Sequence, residues 1–305
     1  MGKTAVIFPG QGSQTVGMGK DFYEKYDEVK NIFDKADEVL GYSLTELMFN
    51  GPEEDLKLTS NTQPALLTMS VGLWEVVKDK LSPDFFAGHS LGEYSALVAA
   101  GGMSFEDAVL AVHNRGKFMQ EAVPVGTGSM AAVMGSDEET VRRVCLELTD
   151  DNGVVEPANF NSPGQIVVAG STAKVAEFAE KIKEAGAKRA VMLPVSAPFH
   201  CSLMKPAAVK MAEYLKNIDI NDLSTPVFSN VKAEPERSAS HVYDNLVKQV
   251  ASPVLWTETI QNMAAAGADT FIEVGAGKVL TGLVRKVDKS LNCSNVGIVG
   301  DEEKL

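Results

Sequence analysis

Ser90 stands between Gly88 and Gly92, where the apolar run "DFFA" (84–87) gives way to the helical run "LGEYSALVAA" (91–100). Gly-x-Ser-x-Gly with a strand before it and a helix after it is the nucleophile-elbow pattern, in which the chain turns so sharply that side chains at 88 and 92 would strike neighbouring backbone. The serine oxygen then projects over the sheet edge beside a helix N-terminus, whose dipole and Leu91 N–H favour developing negative charge. A glycine-rich structural turn with an uninvolved serine is the competing reading, and the two flanking elements favour the elbow.

A strand running straight into a helix belongs to an α/β fold, and the chain keeps that rhythm. "TAVIF" (4–8) ends in Pro-Gly, "EKYDEVKNIFDKADEVL" (24–40) has helical spacing, and "QPALLTMSVGLWEVVKDK" (63–80) carries proline in its predicted first turn. Such alternation predicts a mostly parallel sheet. Between Gly126 and Ser196 the rhythm changes. "SMAAVMG" (129–135) reads as a strand, and "SDEETVRRVCLELT" (136–149) as a helix opened by a Ser136-x-x-Glu139 capping box. "GVVEPANF" (153–160) and "QIVVAG" (165–170) read as a hairpin, followed by the helix "STAKVAEFAEKIKEAGA" (171–187) and the strand "KRAVMLPVS" (188–196). The order βαββαβ matches a ferredoxin-like unit. Alternation then resumes with strands at "TPVFSNV" and "DTFIEVG" and helices at "SPVLWTETIQNMAAAGA" and "KVLTGLVRKV". The expectation is a larger α/β domain, 1–125 and 197–305, carrying an inserted ferredoxin-like subdomain, 126–196; 305 residues, 45% hydrophobic, can bury cores of that size.

A nucleophilic serine needs a base, and the chain has four histidines. His89 adjoins Ser90, so its side chain leaves the elbow in another direction; His113 falls on the solvent side of a predicted helix with Asp107 and Lys117; His241 opens a polar helix. His200, in "SAPFHCSLM", follows a strand, where loops carry chemistry, and is the base by elimination; a structural role stays open for it on the residues alone. In the predicted helix 105–122 the apolar stripe runs Phe105, Ala108, Val112, Met119 and Ala122, and its missing member is Arg115. A buried arginine must be paired: an internal ion pair is the commoner solution, and beside a nucleophile the alternative is a bidentate grip on a substrate carboxylate. "FPGQGSQ" (8–14) reads either as a plain turn or as the loop giving a second oxyanion donor, the Gln11 N–H. It is no dinucleotide fingerprint, since Thr15 holds the third glycine position, and "VGAGKVL" (274–280) is no phosphate loop, with Ile272 and Val279 at required positions.

Net charge −13 argues against non-specific nucleic-acid binding. Three scattered cysteines, Cys145, Cys201 and Cys293, indicate neither disulfides nor a metal site, and the N-terminus has too short an apolar run for a signal peptide or membrane span. A reduced, cytoplasmic protein is expected, with no membrane and no nucleic acid among its partners.

Taken together, "FPGQGSQ", "TQPAL", "GHSLGEYSAL", Arg115-Gly116, "NFNSPGQIVVAG", "SAPFHCSLM", "QVASPVLWTETI" and "EVGAGKVLTGL" resemble, in order and over essentially the whole chain, the malonyl-CoA:acyl carrier protein transacylases of type II fatty acid synthesis. The resemblance implies a hydrolase-like α/β core with a ferredoxin-like insert. It implies Ser90 as acylated nucleophile, His200 as base, Arg115 as the malonyl carboxylate's partner, and the N–H groups of Gln11 and Leu91 as oxyanion hole. It further implies that the Gln249 main-chain carbonyl orients the histidine, that Gln63 lies near the pocket, with Asn159 and Asn161 close to substrate, and that Phe199 resembles malonyl-selective relatives. Malonyl-CoA and phosphopantetheinylated acyl carrier protein are the implied partners; no metal or tightly bound cofactor is implied, CoA serves only as acyl carrier, and a monomer is expected. Lys188, Arg189, Lys278 and Arg285 are candidates for a basic docking patch, with ordinary solvated charge as the alternative. The rival functions are a serine thioesterase with the same elbow and a non-catalytic carrier-protein-binding module.

Overall fold

The computed structural model describes residues 2–195 and 197–305; Ser196, at the end of the predicted 188–196 strand and insert, lies outside the described residues. Strand β1 (Lys3–Phe8) is buried over its last four residues because it takes an interior place in a sheet covered on both faces. The helix predicted over 24–40 is two, α1 (Lys20–Lys25) and α2 (Asp27–Leu40), separated by an extended Tyr26. Tyr26 leaves helical geometry to stack on Phe22 and donate its hydroxyl to the carboxylate of Glu302 near the C-terminus.

Short helices α3 (Leu44–Asn50) and α4 (Glu53–Leu56) lead into α5 (Thr59–Val77), buried on nearly every face. Here α5 starts four residues earlier than predicted, so Pro64 lies in its second turn. Proline has no N–H for the Ser60 carbonyl, and His113 supplies it instead, its Nδ1 lying 2.9 Å from that oxygen. His113 is therefore half-buried and occupied, not solvent-facing.

Strand β2 (Phe85–Gly88) runs through the elbow into α6 (Gly92–Ala99), and α7 (Phe105–Glu121) begins at Ser104, whose hydroxyl accepts from the Asp107 N–H. Helices α5 and α7 pack closely at Gly116, where a β-carbon would lie 2.5 Å from the Thr59 carbonyl oxygen. That approach brings Arg115 within reach of Gln63.

A second, antiparallel sheet follows. It comprises β3 (Gly128–Met134), α8 (Glu138–Leu148), β4 (Val155–Ser162), β5 (Gln165–Ser171), α9 (Thr172–Glu184) and β6 (Arg189–Met192), with strand order β4-β5-β3-β6. One face carries α8 and α9 through Val141, Val144, Phe178 and Ile182. The cap of α8 is Asp137, which accepts from the Thr140 N–H, and not Ser136; the helix starts one residue later than the predicted capping box.

The chain returns through α10 (Lys205–Leu215), β7 (Val227–Phe228), β8 (Pro235–Glu236), α11 (Ala239–Gln249), α12 (Trp256–Ala265), β9 (Ala268–Val274), α13 (Val279–Val287) and β10 (Asn292–Val296). The first sheet has the order β10-β9-β1-β2-β7-β8, parallel except for the β7–β8 pair. Parallel strands end on one edge, and β1, β2 and β7 deliver their following loops there together. The second sheet is tied by backbone to the connection between α11 and α12: Phe160 N–H donates to the Val254 carbonyl and Val254 N–H to the Ala158 carbonyl, both at 2.9 Å.

Substitution Gly116→Ala should lower stability by about 1–3 kcal/mol despite alanine's better helix propensity, because the β-carbon meets rigid backbone. The urea-unfolding midpoint measures this; an unchanged or raised midpoint would contradict the packing described.

Candidate active site

The elbow is as tight as its glycines imply. A β-carbon at Gly88 would lie 1.9 Å from the Gly92 carbonyl, and one at Gly92 would lie 2.3 Å from the Phe8 oxygen. Ser90 itself has φ +53°, a left-handed conformation that a serine holds only where the surroundings fix it. Asn230, just past β7, does so: its Oδ1 accepts from the Ser90 N–H at 2.7 Å and its Nδ2 donates to the Gly88 carbonyl at 2.7 Å.

Ser90 Oγ lies 2.7 Å from His200 Nε2, and His200 Nδ1 lies 2.9 Å from the Gln249 main-chain oxygen. A carbonyl can only accept, so Nδ1 carries the proton and Nε2 presents its lone pair to the serine hydroxyl. Burial and the nearby Arg115 charge push His200 down to about 3, so the imidazole is neutral at pH 7, as a base must be. Its orienting group is a main-chain carbonyl, so no acidic third member is needed.

Arg115 is 1% exposed. Among the described residues it makes no ion pair, which disposes of the internal salt bridge; its Nη1 donates to Gln63 Oε1 at 2.8 Å, and its Nη2 to Gln249 Oε1 at 2.9 Å and Ser90 Oγ at 3.0 Å. Nε–H has no acceptor among the described residues. A buried cation held by amide oxygens, with a donor to spare, has the chemistry to take an anion.

The end of β1 meets the elbow through the His89 N–H, which donates to the Phe8 carbonyl at 3.0 Å, and the loop after it lies against the elbow at Gly10, where a β-carbon would be 2.4 Å from the His89 carbonyl oxygen. Among the described residues neither the Gln11 nor the Leu91 N–H has an acceptor. Ser90, His200, Arg115, Gln11 and Gln63 line one cavity of about 690 Å³, closed on its far side by Met130, Asn159, Asn161 and Val167 of the second sheet. Leu91 and Gln249 stand immediately behind its wall, so all seven predicted site residues converge. His89 turns aside, its Nε2 2.8 Å from Asn161 Oδ1 and its ring 5.5 Å from that of Trp256. Phe199 lines the same cavity.

Sequence reasoning missed two members of this cluster. Asn230 clamps the elbow, and Glu93, 3% exposed, accepts from the Asn230 N–H and from Gln249 Nε2. The available signal for Glu93 was a carboxylate in a helix apolar on every other face; Asn230 had none beyond its place at a strand end. No group of three or more His, Cys, Asp or Glu that could hold a metal ion occurs among the described residues, and no helix there is long and apolar enough to cross a membrane.

The depressed His200 sets the pH response. Its folded value lies below the ordinary 6.5, so the lone pair persists as pH falls and is lost only near about pH 3. Labelling of Ser90 by a fluorophosphonate should therefore change less than about threefold between pH 7 and pH 5, where an unperturbed histidine would cost more than tenfold. Mass spectrometry reads the rate, and a tenfold fall would refute the burial-and-charge account.

The acyl transferase domain family model matches residues 5–304. The malonyl CoA-acyl carrier protein transacylase of Bacillus subtilis is 52% identical over 95% of this chain and 92% of its own. A crystal structure of an acyl carrier protein S-malonyltransferase from Vibrio cholerae superposes with TM-score 0.96 at 47% identity, covering 99% of each chain. A type II PKS acyl-carrier protein in complex with its malonyl-transacylase gives TM-score 0.96 at 45% identity over 99% of this chain and 98% of that one. With the sequence matched almost end to end and the shape matched alongside it, the chain belongs to the acyl transferase domain family.

Proposed function

We propose that this protein moves a malonyl group from malonyl-CoA to the phosphopantetheine thiol of acyl carrier protein, through a malonyl-Ser90 intermediate. The observation that carries the reading is the buried Arg115 guanidinium, unpaired by any carboxylate among the described residues and 3.0 Å from the Ser90 hydroxyl. A general thioesterase has no use for such a charge, whereas a carboxyl-bearing acyl group completes it. The relatives named above are malonyl transferases, and one was solved with its carrier protein.

Ser90 Oγ attacks the thioester carbonyl as its proton passes to His200 Nε2. The oxyanion of the tetrahedral intermediate is held by the Gln11 and Leu91 N–H groups; loss of one such donor typically raises the barrier by about 2.7–4 kcal/mol. The C–S bond then breaks, and His200 returns the proton to the departing CoA thiolate. In the second half the carrier thiol gives its proton to His200 and its sulfur attacks the malonyl ester; the C–Oγ bond breaks and His200 returns the proton to Ser90 Oγ. This is ping-pong transfer. Gln249 holds His200 in the required tautomer through its carbonyl, and Gln63 supports Arg115.

The same reading makes 126–196 an insert in a catalytic body formed by 1–125 and 197–305, with the acyl pocket between them. Ser90, His200 and Arg115 come from one chain, which supports a monomer as the working unit, and a CoA thioester and a carrier protein as substrates fit a cytoplasmic setting. Lys188, Arg189, Lys278 and Arg285 are all exposed and available to an acidic carrier.

Mixing with malonyl-CoA should add one malonyl mass to the wild type and none to Ser90→Ala. Arg115→Ala should cut malonyl acylation by about 2–5 kcal/mol, roughly thirty-fold or more, while acetyl acylation gains relative to it. An unchanged malonyl-to-acetyl ratio would remove Arg115 from the reading.

A further inference from the structure

Beside the reacting groups lies a buried carboxylate to which the chemistry above gives no task. Glu93, in the first turn of α6, makes no ion pair among the described residues; its Oε2 accepts from Gln249 Nε2 at 2.8 Å and from the Asn230 N–H at 3.0 Å. Each of those partners holds reacting groups. Asn230 spans the elbow, gripping Gly88 and Ser90. Gln249 takes Arg115 Nη2 on its side-chain oxygen, gives Nε2–H to the Ser90 carbonyl at 2.9 Å, and offers its own carbonyl to His200.

A primary amide has one end that accepts and one that donates. A guanidinium can only donate, so it must face the oxygen of Gln249; an acceptor at the opposite end must face the NH₂. Arg115 and Glu93 sit at those two ends and together leave the Gln249 amide one orientation. Without Glu93, Nε2 keeps the Ser90 carbonyl and a long 3.4 Å contact to Asn230 Oδ1, while the buried Asn230 N–H loses its acceptor.

We propose that Glu93 is a positioning residue of the transfer reaction: through Gln249 it fixes Arg115 and the carbonyl that orients His200, and through Asn230 it clamps the strained Ser90. The inference rests on the malonyl-serine reading given above. Burial pushes the Glu93 carboxyl up to about 7, against the opposing effect of Arg115 and of the two hydrogen bonds it accepts. With a proton on its other oxygen, Oε2 accepts both bonds unchanged, so the site uses the reach of the side chain more than its charge.

Glutamine keeps that reach without the charge, and aspartate keeps the charge without the reach. Rates of Ser90 acylation by malonyl-CoA and acetyl-CoA, read by intact mass and normalised to folded protein, should therefore separate the two. Glu93→Gln should retain at least about a third of the wild-type malonyl rate. Glu93→Asp and Glu93→Ala should lose roughly 10- to 100-fold, the scale of a small misplacement of reacting groups, and their malonyl-to-acetyl preference should fall as Arg115 loses its fixed bearing. A merely structural carboxylate would lower the unfolding temperature and leave rate and preference per folded molecule as in the wild type, which overturns the proposal. If Glu93→Ala does not fold, the ordering of Gln over Asp decides alone, and Asp matching or exceeding Gln overturns it. A wild type that takes no malonyl mass defeats the functional reading itself; a malonylated wild type equalled by Glu93→Asp defeats only the positioning role.

Discussion

A guanidinium buried without a carboxylate is the constraint around which this molecule is arranged. An isolated charge in a protein interior is strongly unfavourable, and it persists only where polar groups are held rigidly against it. Here the holders are two amide oxygens, from Gln63 on α5 and Gln249 on α11, and the serine hydroxyl. Three distant segments of chain must be locked in place for that arrangement to exist. The near-complete burial of α5 fixes the first of them, and the close seating of α7 on it at Gly116 sets Arg115 against Gln63.

The same charge organises the acid–base chemistry. Its field and the burial of the imidazole both disfavour a protonated His200, so the ring stays neutral with its lone pair free and would give a proton back readily once it had taken one. A triad with an aspartate would work against that by stabilising the imidazolium. A carbonyl at the Nδ1 side fixes the ring and its tautomer without adding a negative charge beside the cavity that the guanidinium faces.

Much of this was legible in the chain because it is local. The elbow is written in five consecutive residues, and the position of Arg115 follows from the spacing of one helix stripe. Gln249 was legible only through family resemblance, since it orients His200 with a main-chain atom that any residue has. Glu93 reads in sequence as an ordinary first-turn acidic residue, favourable to the helix dipole wherever it points; its partners come from 137 and 156 positions away. Fold errors have similar roots. Tyr26 breaks a well-patterned helix for a contact with Glu302, a long-range gain that outweighs local propensity. Strand β10, "NCSNV", carries one fully buried side chain and so lacks the apolar pattern of its neighbours, and β8 is two residues long.

The backbone joint between β4 and the chain just after α11 has a bearing on the cavity wall. Val254, which exchanges both hydrogen bonds with β4, lies five residues beyond Gln249 along the same stretch of chain. Asn159 and Val167 line the cavity on strands beside that joint, so an outward shift of the wall there would strain the two bonds or tug on the segment whose carbonyl faces the imidazole. The width of the chamber and the bearing of the ring are thereby mechanically linked through one short stretch of chain.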